Sequence, residues 1–62
     1  MDNLVRRLTV AEVAARLQVH RKTVLRYVRK GELPASRLPG GDLRFLSLDV
    51  DRWMAQRREI RS

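Results

Sequence analysis

The hydrophobic residues of this chain recur with a helical period in its first third. Apolar side chains spaced i, i+3, i+4 and i+7 predict one buried stripe on a helix, formed by Val10, Val13, Ala14 and Leu17. Thr9 and Glu12 have the spacing of a capping box, in which each side chain accepts a hydrogen bond from the other residue's backbone N–H. We therefore expect this helix to begin after Thr9 and to end near Leu17, and residues 1–7, which lack the period, to form a flexible N-terminus.

A second amphipathic stretch runs from Arg21 to Lys30, after a break at residues 18–20. Gly31 is expected to end it in a left-handed C-terminal cap, and Pro34 prevents its continuation. At about 100° per residue, one arc of about 120° collects Lys22, Thr23, Arg26, Arg29 and Lys30. The other side of the helix carries Val24, Leu25, Tyr27 and Val28. This helix therefore combines a basic face with an apolar face that can dock on the first helix.

The segment from Leu33 to Leu46 predicts two short strands. Side-chain character alternates over residues 36–38 and 43–45, and the Gly40-Gly41 pair between them accepts the positive φ angles that a tight hairpin turn needs. Ser47 has the character of a helix N-cap. The third helix that follows would bury Val50, Trp53 and Met54 and would end between residues 57 and 59. Residues 59–62 are expected to form a flexible C-terminus.

The charge balance points to a polyanionic partner. Fourteen Lys and Arg residues oppose seven Asp and Glu residues in 62 residues, which gives a net charge of +7. A chain of this length suits one small domain, expected over residues 8–58, and the absence of cysteine excludes disulfides and cysteine-zinc sites. No apolar run approaches the roughly 18 residues of a membrane span, and no signal peptide is recognisable. We expect a cytoplasmic protein whose first candidate partner is nucleic acid.

The order helix, helix, two-stranded hairpin, helix predicts a mainly α winged helix-turn-helix fold. In such a fold the second helix enters the major groove, and the hairpin, or wing, lies near phosphates or the minor groove. The residues expected at double-stranded DNA are Arg21, Lys22, Thr23, Arg26, Tyr27, Arg29 and Lys30 in the helix and Arg37, Gly40, Gly41 and Arg44 in the wing. A solvated helix face and a purely structural hairpin are the alternatives that involve no ligand.

Two segments resemble the excisionase-like branch of the MerR-type winged helix-turn-helix domains. They are Leu8-Thr9-Val10-Ala11-Glu12-Val13-Ala14 and Lys22-Thr23-Val24-Leu25-Arg26-Tyr27-Val28-Arg29-Lys30-Gly31-Glu32-Leu33-Pro34-Ala35. The resemblance continues through Arg37, Gly40, Gly41, Arg44 and Val50-Asp51-Arg52-Trp53. It implies major-groove contacts by Lys22, Thr23 and Arg26 and wing contacts by Arg37 and Arg44. The chain departs from this family at Gln18, His20 and Asp42, where glycine, serine and a basic residue are frequent.

The resemblance also implies a function. Excisionases are recombination directionality factors, which bind an attachment site as several copies and bend it so that an integrase carries out excision. No small-molecule ligand is expected, because the chain has no space for an effector-binding region. A small MerR-like transcriptional regulator is the main alternative. Two further alternatives are an adaptor for acidic proteins and a basic helix lying on an anionic membrane.

Few residues suggest catalysis. The chain has one histidine, no cysteine and no glycine-rich phosphate loop, so we expect no enzyme activity, cofactor or metal. His20 is either a pH-sensitive DNA contact or a plain turn residue. Trp53 is expected in the core rather than stacked on a base. Tyr27 is expected to pack with its ring while its hydroxyl reaches a phosphate.

Overall fold

Three helices and a small antiparallel sheet form the computed structural model of this protein, which describes residues 6–61 and the side chains of residues 6–57. In chain order the elements are β1 (Arg7–Leu8), α1 (Val10–Leu17), α2 (Arg21–Arg29), β2 (Ser36–Arg37), β3 (Leu43–Leu46) and α3 (Ser47–Arg61). The expected mainly helical, winged helix-turn-helix fold is confirmed. The parts of the expected flexible termini that comprise residues 1–5 and Ser62 lie outside the described residues.

The predicted capping box fixes the start of α1. The Thr9 hydroxyl accepts from the Glu12 N–H at 3.1 Å, and the Glu12 carboxylate accepts from the Thr9 N–H at 2.8 Å. The hydrogen bond from the Thr9 backbone, with help from the Thr9 hydroxyl and the nearby Arg6, lowers the pKa of the Glu12 carboxyl below its ordinary value of 4.5. Both residues thereby satisfy backbone donors that the helix itself leaves unpaired.

The turn between α1 and α2 is closed by a non-glycine residue in a left-handed conformation. Gln18 has φ 59° and ψ 46°, and its N–H donates to the carbonyl of Ala15 at 3.2 Å. The Val19 N–H donates to the Ala14 carbonyl at 3.0 Å, which completes the bonding pattern of a Schellman motif. The reversal lets α2 begin at Arg21, as the sequence predicts.

A single apolar core lies between the helices and one face of the sheet. Its buried members are Leu8, Val13, Ala14, Val24, Leu33, Phe45 and Val50. Each helix and the strands β1 and β3 contribute at least one of these side chains. Because α2 supplies the fully buried Val24, its opposite face is held toward solvent.

The sheet has a third strand that the hydrophobic pattern does not predict. Its order is β1-β3-β2, and in β1 Arg7 pairs with Leu46 and Leu8 with Phe45. Arg6 and Arg7 therefore belong to the folded unit, and the boundary expected at residue 8 falls inside β1. A strand of two residues is too short to show an alternating pattern.

Ser47 does not act as the N-cap that the sequence predicts. It is the first residue of α3, and its hydroxyl accepts from the Arg6 N–H at 2.9 Å. Its own N–H donates to the Arg6 carbonyl at 2.8 Å. This pair of bonds lies next to the Arg7–Leu46 pair and extends the β1–β3 pairing into the start of α3. Ser47 is buried there, with 8% of its surface exposed.

The hairpin turn also differs from the expected form. The Leu38 N–H donates to the Asp42 carbonyl at 2.7 Å, and the Gly41 N–H donates to the Leu38 carbonyl at 2.8 Å. Within the described residues only Gly41 of the glycine pair has a positive φ, at 98°. This is the pattern of a three-residue loop, in which an i to i+3 turn is followed by one left-handed residue. Pro39 occupies the turn position where its fixed φ is favourable.

Helix α3 is longer than expected. The sequence predicts an end between residues 57 and 59, whereas the helix continues to Arg61. No glycine or proline follows Gly41, and the last residues before Arg61 are mostly good helix formers. A helix without a stop signal continues while its propensity allows.

Candidate nucleic-acid interface

Helix α2 is held at both ends by backbone geometry. At its start, the N–H groups of Thr23 and Val24 donate to the His20 carbonyl at 2.9 and 3.2 Å. At its end, Gly31 adopts a φ of 79°, as the sequence predicts, and its N–H donates to the Val28 carbonyl at 3.0 Å. The Glu32 N–H donates to the Tyr27 carbonyl at 2.9 Å, which completes a second Schellman motif. The helix is therefore a defined platform for its exposed side chains.

The exposed face of α2 carries a row of basic side chains. Lys22, Arg26 and Arg29 follow each other at spacings of four and three residues, and all three are exposed. We call these three residues the basic row. Arg21 and Lys30, at the two ends of the helix, are exposed as well, and Thr23 is half-buried beside Lys22. The structure thus brings together the basic residues that the sequence assigns to the second helix.

The N-terminus of α2 lacks the devices that stabilise α1. His20 stands at the N-cap position and makes no side-chain capping hydrogen bond, and no acidic residue lies in the first turn. Two basic residues, Arg21 and Lys22, stand there instead, where the positive end of the helix dipole disfavours them. The first-turn N–H groups and these cations together make this end of α2 strongly electropositive.

None of the ion pairs among the described residues includes a side chain of α2 or of the wing. They join Arg6 to Glu12 at 3.8 Å, Arg16 to Asp51 at 3.4 Å and Arg57 to Glu32 at 3.8 Å. Glu12, Asp51 and Glu32 are thereby matched by arginines outside the proposed interface. The charge of the basic row stays without a carboxylate partner among the described side chains, so its field is available to a polyanion.

The wing, residues 36–46, does not present its two arginines on one face. Arg37 pairs with Leu43, and Ser36 pairs with Arg44. Paired residues of antiparallel strands share a face and successive residues alternate, so Arg37 lies on the face of Leu43 and Arg44 on the other. The sequence assigned both arginines to the wing, but it could not show this separation, because it depends on the register.

Arg44 lies on the outer face of the sheet. A shallow surface there is lined by Arg7, Ser36 and Leu46 together with Arg44. Arg44 is half-buried, and its guanidinium donates to the Leu43 carbonyl at 2.9 Å. Arg7 is a basic residue of this face that the sequence analysis missed, since strand β1 could not be foreseen.

Arg37 lies in a groove between α2 and the wing. This helix–wing groove has a volume of about 500 Å³ and is lined by Val10, Leu25, Val28, Arg29, Arg37, Gly41, Asp42 and Leu43. Arg29 comes from the end of the basic row, and Arg37 comes from the wing. The guanidinium of Arg37 donates to the Gly41 carbonyl at 3.2 Å, which ties it to the turn. Gly40 is exposed at the tip.

Tyr27 and Trp53 pack on each other beside the core. Both are half-buried, so Trp53 is a partner at the margin of the core and not a fully buried residue. The guanidinium of Arg57 lies 4.6 Å from the centre of the Trp53 ring and 5.3 Å from that of Tyr27. Arg57 was missed by the sequence analysis, although its i+4 spacing from Trp53 could have indicated it.

The described residues hold no cluster of three or more side chains suited to a metal ion. Within the same part of the chain, no helix combines the length and the apolar composition that crossing a membrane requires.

The comparisons with known proteins agree with this geometry. A family model described as a helix-turn-helix domain matches residues 7–58, which include both helices of the motif, the wing and most of α3. The match begins at Arg7, the first residue of β1. No curated protein matches the chain.

Proposed function

Because this chain belongs to the helix-turn-helix family of excisionase-like DNA-binding domains, we propose that it binds double-stranded DNA sequence-specifically through α2 and the wing. The observation that carries this proposal is the basic row on the solvent face of α2, which has no carboxylate partner among the described side chains. Nine residues at about 1.5 Å each give α2 a length of roughly 14 Å, which suits a major groove about 12 Å wide.

The polar residues of α2 and its C-cap Lys30 are proposed to make two kinds of DNA contact. Lys22, Thr23 and Arg26 contact base edges, since they lie in the first two turns on the exposed side. Arginine and lysine recognise guanine, and the threonine methyl suits thymine. Phosphates are contacted by Arg21, Arg29 and Lys30, and the Tyr27 hydroxyl is proposed to reach a phosphate from the edge of the helix.

The wing contributes contacts to the DNA backbone. Arg37 faces α2 across the helix–wing groove, and Gly40 and Gly41 let the turn approach closely. Arg44 lies on the outer face and is proposed to contact a flanking phosphate, with a smaller effect than Arg37. Phosphate contacts position the protein, whereas base contacts select the sequence.

We further propose that the protein is an excisionase, that is, a recombination directionality factor of the cytoplasm without enzymatic activity of its own. Its membership of the excisionase-like family supports this. The folded chain measures 39 × 31 × 19 Å, which is about one turn of duplex. One such footprint selects a site in a genome weakly, so we propose that several copies bind tandem repeats in the same orientation. The resulting array bends the attachment site for an integrase.

An excision assay with the cognate integrase tests the finer part of this proposal. Footprinting on the attachment site should show adjacent protected repeats that fill cooperatively, and excision should require the protein. The variant Arg26→Ala should weaken cooperative binding and excision together. Binding of a stable dimer to an isolated palindrome, with excision unaffected by the protein, would instead support a small MerR-like transcriptional regulator.

A further inference from the structure

We propose that the helix–wing groove seats a single DNA phosphate between Arg29 and Arg37, and that Asp42 weakens this hold. The inference rests on the proposed function, because it assigns one element of the DNA backbone to one place on the protein. It joins two residues from separate elements into one site. Both line the same groove, Arg29 from α2 and Arg37 from the wing.

The position of Arg37 is prepared before DNA arrives. Its guanidinium donates one hydrogen bond to the Gly41 carbonyl at 3.2 Å, within the same turn of the wing. A guanidinium has five N–H donors, so this bond leaves further donors free for a phosphate. The side chain is already restrained, and it therefore loses less conformational entropy when a phosphate binds.

Arg29 occupies a place where one cation alone holds a phosphate poorly. It is the last residue of α2, next to carbonyl groups that carry the negative end of the helix dipole. A phosphate at this end meets that unfavourable dipole. A second cation from the wing compensates for it, which is why the groove favours joint binding by two arginines over separate binding by each.

The floor of the groove suits the sugar that accompanies a phosphate. It is formed by Val10, Leu25, Val28 and Leu43, all of them apolar and half-buried. Arg29 is also the end of the basic row, so a duplex lying on that row leads its backbone directly to the groove. An acidic peptide could also bind the same two cations, but nothing about the basic row would lead a peptide into the groove. The backbone of the bound duplex is therefore the occupant that we assign.

Asp42 is an anionic residue in the lining of this groove. It shares the groove with Arg29 and Arg37, but none of the ion pairs among the described side chains includes it. Its backbone carbonyl accepts from the Leu38 N–H and closes the turn, a role that any side chain permits. The carboxylate thus repels a phosphate without supporting the fold, and its removal should strengthen DNA binding about fivefold at low salt.

The shared phosphate can be tested by the salt dependence of DNA binding. Arg29→Gln, Arg37→Gln and their combination are titrated with a duplex selected by the wild-type protein, at several salt concentrations. Each phosphate that a protein neutralises contributes about 0.9 to the log-log salt slope. If both arginines hold one phosphate, the double variant loses about 0.9 in slope, and its loss of affinity is smaller than the product of the single losses.

The control is the pair of variants Arg29→Gln and Arg44→Gln. Arg44 is an arginine of the same wing on the opposite face, so the affinity loss of the combined variant should equal the product of the two single losses. Circular dichroism and thermal unfolding of each variant establish that it is folded. Asp42→Asn should raise the affinity of the wild-type protein but not that of the double variant.

The outcomes separate the shared site from the proposed function. If the wild-type protein binds DNA but the double variant loses about 1.8 in log-log salt slope, the two arginines contact two separate phosphates. This result would overturn the shared site and leave the proposed function standing. The same conclusion would follow if Asp42→Asn had equal effects in both backgrounds. Failure of the folded wild-type protein to bind any duplex would overturn the proposed function, and binding of an acidic peptide in its place would assign the groove to a protein partner.

Discussion

The rings of Tyr27 and Trp53 meet with their centroids 4.8 Å apart and their planes inclined by 48°. Tyr27 belongs to α2 and Trp53 to α3, so this contact joins the proposed recognition helix to the last helix of the fold. Arg57 lies over both rings and forms an ion pair with Glu32, which is three residues beyond the end of α2. The orientation of α2 is therefore fixed by a cluster at the margin of the core as well as by the core itself.

Replacing Trp53 by alanine should destabilise the protein by about 3 kcal/mol, near the lower end of the values for buried aromatic residues. The ring is half-buried, but it supports both Tyr27 and Arg57. Urea unfolding monitored by circular dichroism measures the loss. Because so small a domain has little stability to spare, part of the variant population should be unfolded at room temperature.

Trp53→Phe serves as the matched variant, since it keeps an aromatic ring against Tyr27. It should recover most of the stability and nearly all of the DNA binding. If Trp53→Ala unfolded like the wild-type protein yet failed to bind DNA, Trp53 would be a DNA contact and our assignment to the fold would be wrong.

Gln18→Gly should stabilise the protein by about 0.5 to 1 kcal/mol. Gln18 holds a φ of 59°, a conformation that costs a side chain with a Cβ roughly 1 kcal/mol and glycine much less. The gain is reduced by the larger conformational entropy of glycine in the unfolded chain. Gln18→Ala, which keeps a Cβ in the same conformation, should show no such gain in thermal unfolding. An unchanged or lowered stability of Gln18→Gly would contradict the strained turn.

The capping box should make the stability of the protein depend on pH. The pKa of Glu12 is lowered in the folded state, chiefly by the hydrogen bond from the Thr9 backbone N–H. A lowered pKa adds stability that is complete above the ordinary value of 4.5 and is lost as the pH falls through the folded-state pKa. Glu12→Gln should therefore be less stable than the wild type at neutral pH, and the difference should shrink as the pH falls below 4.5.

Thr9→Ala tests the other half of the same capping box. It removes the acceptor for the Glu12 N–H and should cost about 1 kcal/mol of stability. Denaturant unfolding of both variants across the acidic range gives the comparison. A difference between wild type and Glu12→Gln that stayed constant down to pH 3 would show that Glu12 acts through something other than its charge.

Much of this fold was predictable from the sequence because its signals are local. Thr9 and Glu12 define one helix start, Gly31 defines one helix end, and the periodicity of α1 and α2 defines their buried faces. Each of these signals depends on residues that lie within one or two helical turns of each other in the sequence. The expected basic face of α2 follows from the same periodicity.

The features that the sequence missed depend on distant parts of the chain. Ser47 bonds to Arg6, 41 residues away, and this bond replaces the N-cap that its local context suggests. The separation of Arg37 from Arg44 follows from the pairing of β2 with β3. A shift of register by one residue would place both side chains on the same face of the sheet. The helix–wing groove arises only when α2 and the wing are packed side by side.

Recognition of a DNA sequence by the basic row on α2 is tested most directly by selecting duplexes from a random pool. The selection is carried out in parallel with the wild-type protein and with Arg26→Ala. Arg26 is exposed in the middle of the row and makes no ion pair among the described residues, so its loss should leave the fold intact. The wild type should enrich a defined motif, and Arg26→Ala should lose preference at about one base pair of it, with affinity lowered by about 1 to 3 kcal/mol. Enrichment of no motif by the wild type, or of an identical motif with equal affinity by Arg26→Ala, would contradict this account.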